Sequence, residues 1–151
     1  MNTSFDLIVI GGGSGGLAHA QRAAEYGAKA AVIESGPLGG TCVNVGCVPK
    51  KIMWYTAHYA HLLEHAGDFG FAVSVRGHVW SDVRKKRDAY ISRLNDFYEK
   101  NLHKHDVTYV KGQAKFLDST TVDVDGQHYT AEKIVIATGG FPIVPRIHGA
   151  E

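Results

Sequence analysis

Cysteine is scarce in this sequence, as are long apolar runs and any excess of charge. The 151 residues include two cysteines and carry a formal net charge of +1. A nearly neutral chain gives no electrostatic reason to expect nucleic acid or an anionic membrane surface as a partner. No apolar run approaches the about 20 residues that a membrane-spanning helix needs. Composition therefore favours one globular domain with its own core.

The first residues also lack the basic start and apolar stretch of a signal peptide. We therefore expect a cytoplasmic protein, in which permanent disulfides are uncommon. Two close cysteines in that setting more often carry redox chemistry or bind a metal.

Glycine, by contrast, is abundant, and many of the 18 glycines fall in three short segments, 11–16, 36–46 and 139–140. The first segment follows an apolar run, Phe5–Ile10, that predicts a buried parallel strand. A helical pattern comes next, and Gly27 is placed to end it. A second predicted strand, Ala30–Ile33, leads into Glu34.

Gly11, Gly13 and Gly16 satisfy G-x-G-x-x-G between this strand and this helix. Those glycines permit a tight turn, a close approach of backbone to a pyrophosphate, and close packing of helix on strand. The helix N-terminus offers N–H groups to the phosphates. Glu34 stands about twenty residues further on, where an acid accepts hydrogen bonds from ribose hydroxyls. The pattern predicts a dinucleotide site, with a turn that binds no ligand as the alternative.

Two more helices are predicted in the middle of the chain. Pro49 suits the first turn of a helix whose apolar residues recur at helical spacing, namely Ile52, Tyr55, Tyr59 and Leu62. Residues 64–79 predict a loop that could include a short strand. Ser81 is placed as the N-cap of a long amphipathic helix that ends near Lys104.

Strands dominate the last third of the sequence. Val107–Val110 predicts a third parallel strand, and Ile134–Ala137 a further buried strand leading into Thr138-Gly139-Gly140. Between them an antiparallel meander is predicted at Ala114–Phe116, Thr121–Val124 and Gln127–Thr130, with Asp125-Gly126 as a hairpin turn. The predicted fold class is α/β, a Rossmann-like domain with a parallel sheet and a small antiparallel meander. Residues 141–151 predict an exit linker.

Cys42 and Cys47 lie in a glycine-rich segment ahead of a predicted helix, and three interpretations compete. A closed structural metal site usually needs about four ligands, which the two cysteines do not supply. Histidines spaced along the following helix are more typical of a solvated face than of a metal site. A structural disulfide across so short a loop would remove little chain entropy. A redox-active dithiol is favoured, because a helix N-terminus, with Lys50 and Lys51 close by, stabilises a thiolate.

A dinucleotide beside a redox dithiol indicates electron transfer to sulfur. A flavin can accept a hydride and pass electrons to a disulfide, which nicotinamide alone does poorly. The first site is therefore interpreted as binding FAD rather than NAD, although the glycine motif itself does not separate them.

The segment GGTCVNVGCVPKK, with GGGSGG before it and ATGG after it, resembles the FAD-dependent pyridine nucleotide–disulfide oxidoreductases. The resemblance covers essentially the whole chain. It is greatest to the members that use NADPH to reduce glutathione disulfide. Members that act on trypanothione or thioredoxin share the cysteine motif and stay as alternatives.

The resemblance implies unequal roles for the cysteines. Cys42 would form the mixed disulfide with glutathione, and Cys47 would be the charge-transfer thiol beside the flavin. Lys50 would lie near the reactive edge of the flavin, a role that Lys51 could take instead.

The resemblance also implies contacts with cofactor and substrate. Besides the glycines of the motif, the predicted FAD contacts are Ser14, Gly15, Glu34, Thr41, Cys42, Lys50, Ala114, Thr138 and Gly139. Ser14, Gln21 and Tyr98 would contact glutathione. Gln21 stands where many members carry arginine, and Tyr98 is equally explained as part of its helix's aromatic stripe.

Enzymes of this family are much longer and form homodimers. The resemblance therefore implies that residues 1–151 are the N-terminal part of an FAD-binding domain. The NADPH domain and a catalytic histidine–glutamate pair would lie outside this sequence. We expect the chain alone to be inactive; a folded fragment that binds FAD weakly or not at all is the alternative.

Overall fold

The structure, a computed structural model, describes residues 3–150. In that range the α-helices are α1 (Ser14–Glu25), α2 (Gly40–Asn44), α3 (Cys47–Glu64) and α4 (Trp80–Lys104). The strands are β1 (Ser4–Ile10), β2 (Ala30–Glu34), β3 (Thr108–Lys111), β4 (Ala114–Phe116), β5 (Thr121–Val124) and β6 (Gln127–Ile136). A short 3-10 helix at Ala66–Phe69 follows α3.

The strands of the described range form one sheet in the order β3-β2-β1-β6-β5-β4. Strands β3, β2 and β1 pair in parallel, and β6 continues the parallel part beside β1. Strands β4, β5 and the start of β6 pair antiparallel. Asp125 and Gly126 connect β5 to β6 with φ angles of 53° and 84°, as a two-residue hairpin turn requires. The predicted α/β class, with a parallel sheet and an antiparallel meander, is confirmed.

Strand β6 corrects one prediction. The sequence predicts separate strands at Gln127–Thr130 and Ile134–Ala137, whereas the structure has one strand, Gln127–Ile136, and Ala137 lies just beyond its end. Thr130 pairs with β5 on one side and with β1 on the other, so the strand passes directly from one neighbour to the next. The charged residues at 132 and 133 interrupt the apolar pattern without interrupting the strand.

Apolar side chains are buried on both faces of the parallel strands. One face packs against α1 and the end of α4, where Leu17 and Leu102 meet the strands. On the other face Val124 of β5 joins the same cluster as Ile33 of β2, although two strands separate them in the sheet. The antiparallel end of the sheet therefore curls back over the parallel strands. Gly112 permits this approach, because a Cβ there would overlap Val124.

The helices depart from the prediction at their ends. Val79, not Ser81, is the N-cap of α4, and no side chain caps that helix. The segment from 64 to 79 contains the 3-10 helix and, within the described residues, no strand. Helix α3 begins at Cys47, so Pro49 is its third residue and lies in the first turn as predicted.

Helix α3 does not bury its predicted apolar stripe. Tyr55, Tyr59 and Leu62 are all more than half exposed. The helix packs against α2 and α4, and Ile52, the first residue of the stripe, is half-buried. Helical spacing predicted the helix correctly, but the stripe is not part of the core.

Candidate dithiol and nucleotide site

The glycine-rich loop lies between β1 and α1, at the carboxyl end of the parallel strands. Gly11 has φ 112°, and a Cβ there would overlap the Ala137 carbonyl and lie 2.9 Å from the Thr138 nitrogen. A Cβ at Gly16 would overlap the Gly11 carbonyl. At Gly15 the space is open to 4 Å, so the start of α1 is accessible. The first N–H groups of a helix have no partner within it, so this loop is suited to an anion.

Glu34, at the end of β2, is bound by backbone on both of its oxygens. Its Oε2 accepts a hydrogen bond from the Gly12 N–H at 2.6 Å, and its Oε1 accepts one from the Gly36 N–H at 2.7 Å. The carboxylate therefore links the glycine-rich loop to the turn after β2. Ionised carboxylates have about four acceptor positions, so two are free for further donors.

The cysteine segment docks directly on this loop. The Gly39 N–H donates to the Gly12 carbonyl at 2.8 Å. Gly39 and Gly40 have φ angles of 98° and 61°, and a Cβ at Gly40 would lie 2.8 Å from the Cα of Gly13. Only glycine allows both this conformation and this approach of two backbones.

The two cysteines lie on consecutive helices. Cys42 is half-buried in α2, and Cys47 is exposed as the first residue of α3; both are free thiols. Gly46 lets the chain reverse between the helices, since a Cβ there would lie 2.8 Å from the Thr41 carbonyl oxygen. The short helix α2 is not anticipated by the sequence analysis.

The surroundings of Cys42 favour its protonated form. A hydrogen bond with Cys47, followed by desolvation, raises the pKa of the Cys42 thiol above its ordinary value, while the charge of Lys51 acts in the opposite direction. The sequence predicts that the helix N-terminus and the nearby lysines stabilise a thiolate, and at Cys42 the charge of Lys51 does act in that direction. The contact between the two thiols outweighs the lysine at Cys42.

A cavity of about 790 Å³ lies between the glycine-rich loop and the cysteine turn. Its volume is in the range of about 300–1,000 Å³ found for small-molecule sites. Of the predicted site residues it is lined by Gly13, Ser14, Gly15, Glu34, Thr41, Cys42, Cys47, Thr138 and Gly139. Gly11 and Gly16 are buried beneath it. The structure thus brings together both thiols and most of the predicted nucleotide contacts.

A second cavity of about 190 Å³ shares Glu34 and Thr138 with the first. Ala114, at the start of β4, lines this second cavity. Two adjoining spaces with a carboxylate between them provide room for an elongated ligand.

Three predicted residues lie away from the main cavity. Lys50 lines an adjoining cavity of about 440 Å³ together with Met53 and Arg87, and this cavity shares Asn44, Val45 and Gly46 with the main one. Tyr98 packs against the core cluster that contains Leu102. The side-chain nitrogen of Gln21 is buried, with no hydrogen-bond partner among the described residues.

Some lining residues were not anticipated. Gly36, Pro37, Asn44 and Ala137 also line the main cavity. Asn44 stands between the two cysteines, and Ala137 directly follows β6. Their positions in the sequence could therefore have placed both residues at the site. No pattern in the sequence around Pro37 predicted that it lines the cavity.

Residues 3–150 contain neither a cluster of metal-ligating side chains nor a membrane-spanning helix. No three His, Cys, Asp or Glu side chains come together there as metal ligands would. None of the helices in that range has the length and apolar character needed to cross a bilayer.

Comparison with known proteins gives a consistent result. The model of the family described as pyridine nucleotide-disulphide oxidoreductase matches residues 5–151. A glutathione reductase of Schizosaccharomyces pombe is 53% identical over 156 residues, and one of Yarrowia lipolytica is 47% identical over 161 residues. Each alignment covers 97% of this chain and 34% of the relative. The chain therefore spans about a third of the length of these relatives.

Proposed function

The chain belongs to the pyridine nucleotide-disulphide oxidoreductase family, and on that premise we propose that it is the FAD-binding, dithiol-bearing part of a glutathione reductase. The whole enzyme would use NADPH to reduce glutathione disulfide to two molecules of glutathione. Both relatives described above carry that name, but they are about three times as long as their match to this chain. The activity is therefore proposed for the protein to which this part would belong.

One observation carries the proposal. Cys42 and Cys47 line the same cavity as the glycine-rich loop and Glu34. A nucleotide held by that loop would lie beside the two sulfur atoms, as electron transfer to a disulfide requires.

The residues present fit FAD. The accessible start of α1, at Ser14 and Gly15, would hold its pyrophosphate, and Glu34 keeps acceptor positions for ribose hydroxyls. Thr41, Ala114, Thr138 and Gly139 would complete the contacts. Bound FAD would accept a hydride from NADPH and supply an electron pair to the disulfide.

The thiols would act in two exchange steps. The thiolate of Cys42 attacks glutathione disulfide, so a mixed disulfide forms and one glutathione thiolate leaves. The thiolate of Cys47 then attacks the sulfur of Cys42, which restores the Cys42–Cys47 disulfide and releases the second glutathione thiolate. The two protons given up by the cysteines balance the two taken up by the leaving thiolates.

The remaining assignments follow from the same proposal. Lys50 is the cation that stabilises negative charge on the reduced cofactor, with Lys51 as its alternative. Ser14, Gln21 and Tyr98 contact glutathione. The complete protein works as a cytoplasmic homodimer.

The cofactor proposal is tested by titrating the purified chain with FAD and following flavin fluorescence. Saturable binding is expected. Glu34→Gln keeps the shape of the side chain but removes its charge and replaces one acceptor oxygen with a donor, so one of its two backbone hydrogen bonds is also lost. It should weaken binding by about tenfold or more. Glu132→Ala, on an exposed position of β6, is the matched control and should bind as the unchanged chain does. A chain that ignores added FAD would overturn the cofactor assignment.

The substrate proposal is tested separately, by mixing the reduced chain with glutathione disulfide in the absence of NADPH. The unchanged chain should release both glutathione thiols and close its own disulfide. Cys47→Ser should release one and keep the other bound to Cys42, which mass spectrometry detects. Release from a Cys42→Ser variant would contradict the assigned roles.

A further inference from the structure

Two asparagines connect the cysteine turn to the long helix α4. The Asn95 side-chain nitrogen donates to the Leu38 carbonyl at 2.7 Å and to Oδ1 of Asn44 at 2.9 Å. The Asn44 side-chain nitrogen lies within hydrogen-bond distance of the carbonyls of Pro37, Leu38 and Gly40, at 3.3, 3.1 and 2.9 Å. Both asparagine side chains are half-buried. We call this set of hydrogen bonds the asparagine clasp.

The clasp acts on the element that carries Cys42. Helix α2 has five residues, too few to be stable by itself, so tertiary contacts set its position. On one side α2 rests on the glycine-rich loop, through Gly39 and Gly40. On the other side the clasp holds it to α4. Cys42 therefore keeps its place because α2 is held from two directions.

The choice of residue at 95 is explained by this contact. Asparagine is a poor helix former, because its side chain competes for backbone hydrogen bonds. Asn95 nevertheless lies well inside α4, and its amide donates to groups far away in sequence. Its partner Asn44 stands between the two cysteines.

We propose that Asn95 is a positioning residue for the dithiol: through Asn44 and the Leu38 carbonyl it holds α2 so that the sulfur of Cys42 faces that of Cys47. The clasp thereby favours closure of the Cys42–Cys47 disulfide. Cys47 is also the main cause of the raised pKa of the Cys42 thiol, which agrees with two sulfur atoms that lie close together. The inference deepens the proposed function and rests on it for the use of the disulfide.

The test measures the equilibrium between dithiol and disulfide in mixtures of reduced and oxidised dithiothreitol, on the 151-residue chain with and without added FAD. The two cysteines lose two protons and two electrons, and oxidised dithiothreitol gains them. Asn95→Leu keeps the approximate shape of the side chain and removes both donated hydrogen bonds. Because each such bond changes an equilibrium by a factor of about five, we expect the equilibrium constant for disulfide closure to fall about 25-fold when both are lost.

A matched control variant and a second measurement, the pH midpoint of Cys42 alkylation, distinguish a positioning role from a general effect on stability. Asn101, also on α4, makes no side-chain hydrogen bond to other described residues, so Asn101→Leu should leave the equilibrium unchanged. In Asn95→Leu the pH midpoint of Cys42 alkylation should also move down, because the contact between the thiols is weakened. A purely structural role would lower the melting temperature without moving this midpoint.

Asn44→Ala provides an independent variant should Asn95→Leu fold poorly. If the clasp is one unit, the double variant should close its disulfide no worse than the more affected single variant. Additive effects, or an unchanged equilibrium in folded Asn95→Leu, would overturn the inference. Failure of the unchanged chain to form the disulfide would instead overturn the proposed function.

Discussion

Cys42 and Cys47 are close in sequence but have different surroundings. Cys42 is half-buried in α2, and Cys47 is exposed at the start of α3. The hydrogen bond between them, and after it desolvation, raises the pKa of Cys42. At a given pH, a smaller fraction of Cys42 is therefore ionised than of an isolated thiol. Efficient attack by Cys42 near neutral pH would therefore need a proton acceptor nearby.

This asymmetry leads to a prediction on Cys47→Ala. The substitution removes the largest cause of the raised pKa, so the pH midpoint for alkylation of Cys42 by iodoacetamide should move to lower pH. Since a lower pKa increases the thiolate fraction, Cys42 should also react faster at a fixed pH below the original midpoint. Cys47→Ser is the matched comparison, because its hydroxyl can still accept the hydrogen bond. A midpoint that stays in place in Cys47→Ala would show that the thiol contact does not control Cys42.

At the scale of elements, helices α3 and α4 look alike in sequence, but α4 buries one leucine at its end and α3 buries no residue. Both have apolar residues at helical spacing. Leu102 of α4 is 0% exposed and joins the cluster under the sheet, whereas Leu62 of α3 is 52% exposed. Helical periodicity identifies an apolar stripe, but the element that covers the stripe determines how much it stabilises the fold.

Truncation of these two leucines should therefore have unequal effects. Leu102→Ala removes a fully buried side chain and should reduce the free energy of unfolding by about 2–5 kcal/mol. Leu62→Ala should change it by less than about 0.5 kcal/mol, because the side chain is largely in water already. Urea denaturation followed by circular dichroism measures both values. If both variants lost the same free energy of unfolding, the exposed side of α3 would have to be buried against another surface in solution.

For the whole molecule, the distribution of exposed apolar side chains is uneven. They concentrate on α3, on the segment leading into α4 and at residues 141–147. The residues that form the two core clusters on the sheet, in contrast, are buried. The dinucleotide motif and the dithiol adjoin this buried part of the fold.

A prediction at this scale concerns NADPH. The sequence carries one G-x-G-x-x-G motif, and the proposed function assigns it to FAD. The purified chain, supplied with FAD and glutathione disulfide, should therefore not oxidise NADPH above the protein-free rate. The absorbance of NADPH measures this directly, and the NADPH-free exchange of the reduced chain with glutathione disulfide serves as the positive control. Steady oxidation of NADPH would contradict the assignment.

Local patterns in the sequence determined much of this protein. The strands from Phe5 to Ile10 and from Ala30 to Glu34, the loop of Gly11, Gly13 and Gly16, and the turn at Asp125-Gly126 were all predictable. Each depends on neighbouring residues, through apolar runs, positive φ angles or a glycine at a close approach.

Only the tertiary structure decided how these parts meet. Glu34 is held by two backbone amides, β6 runs unbroken past its charged residues, and Asn95 reaches the cysteine turn across 51 residues of chain to Asn44. The physical reason is the same in each case. Hydrogen bonds between distant segments, and the burial of their side chains, depend on which surfaces come together in the folded chain. Local periodicity does not predict which surfaces these are.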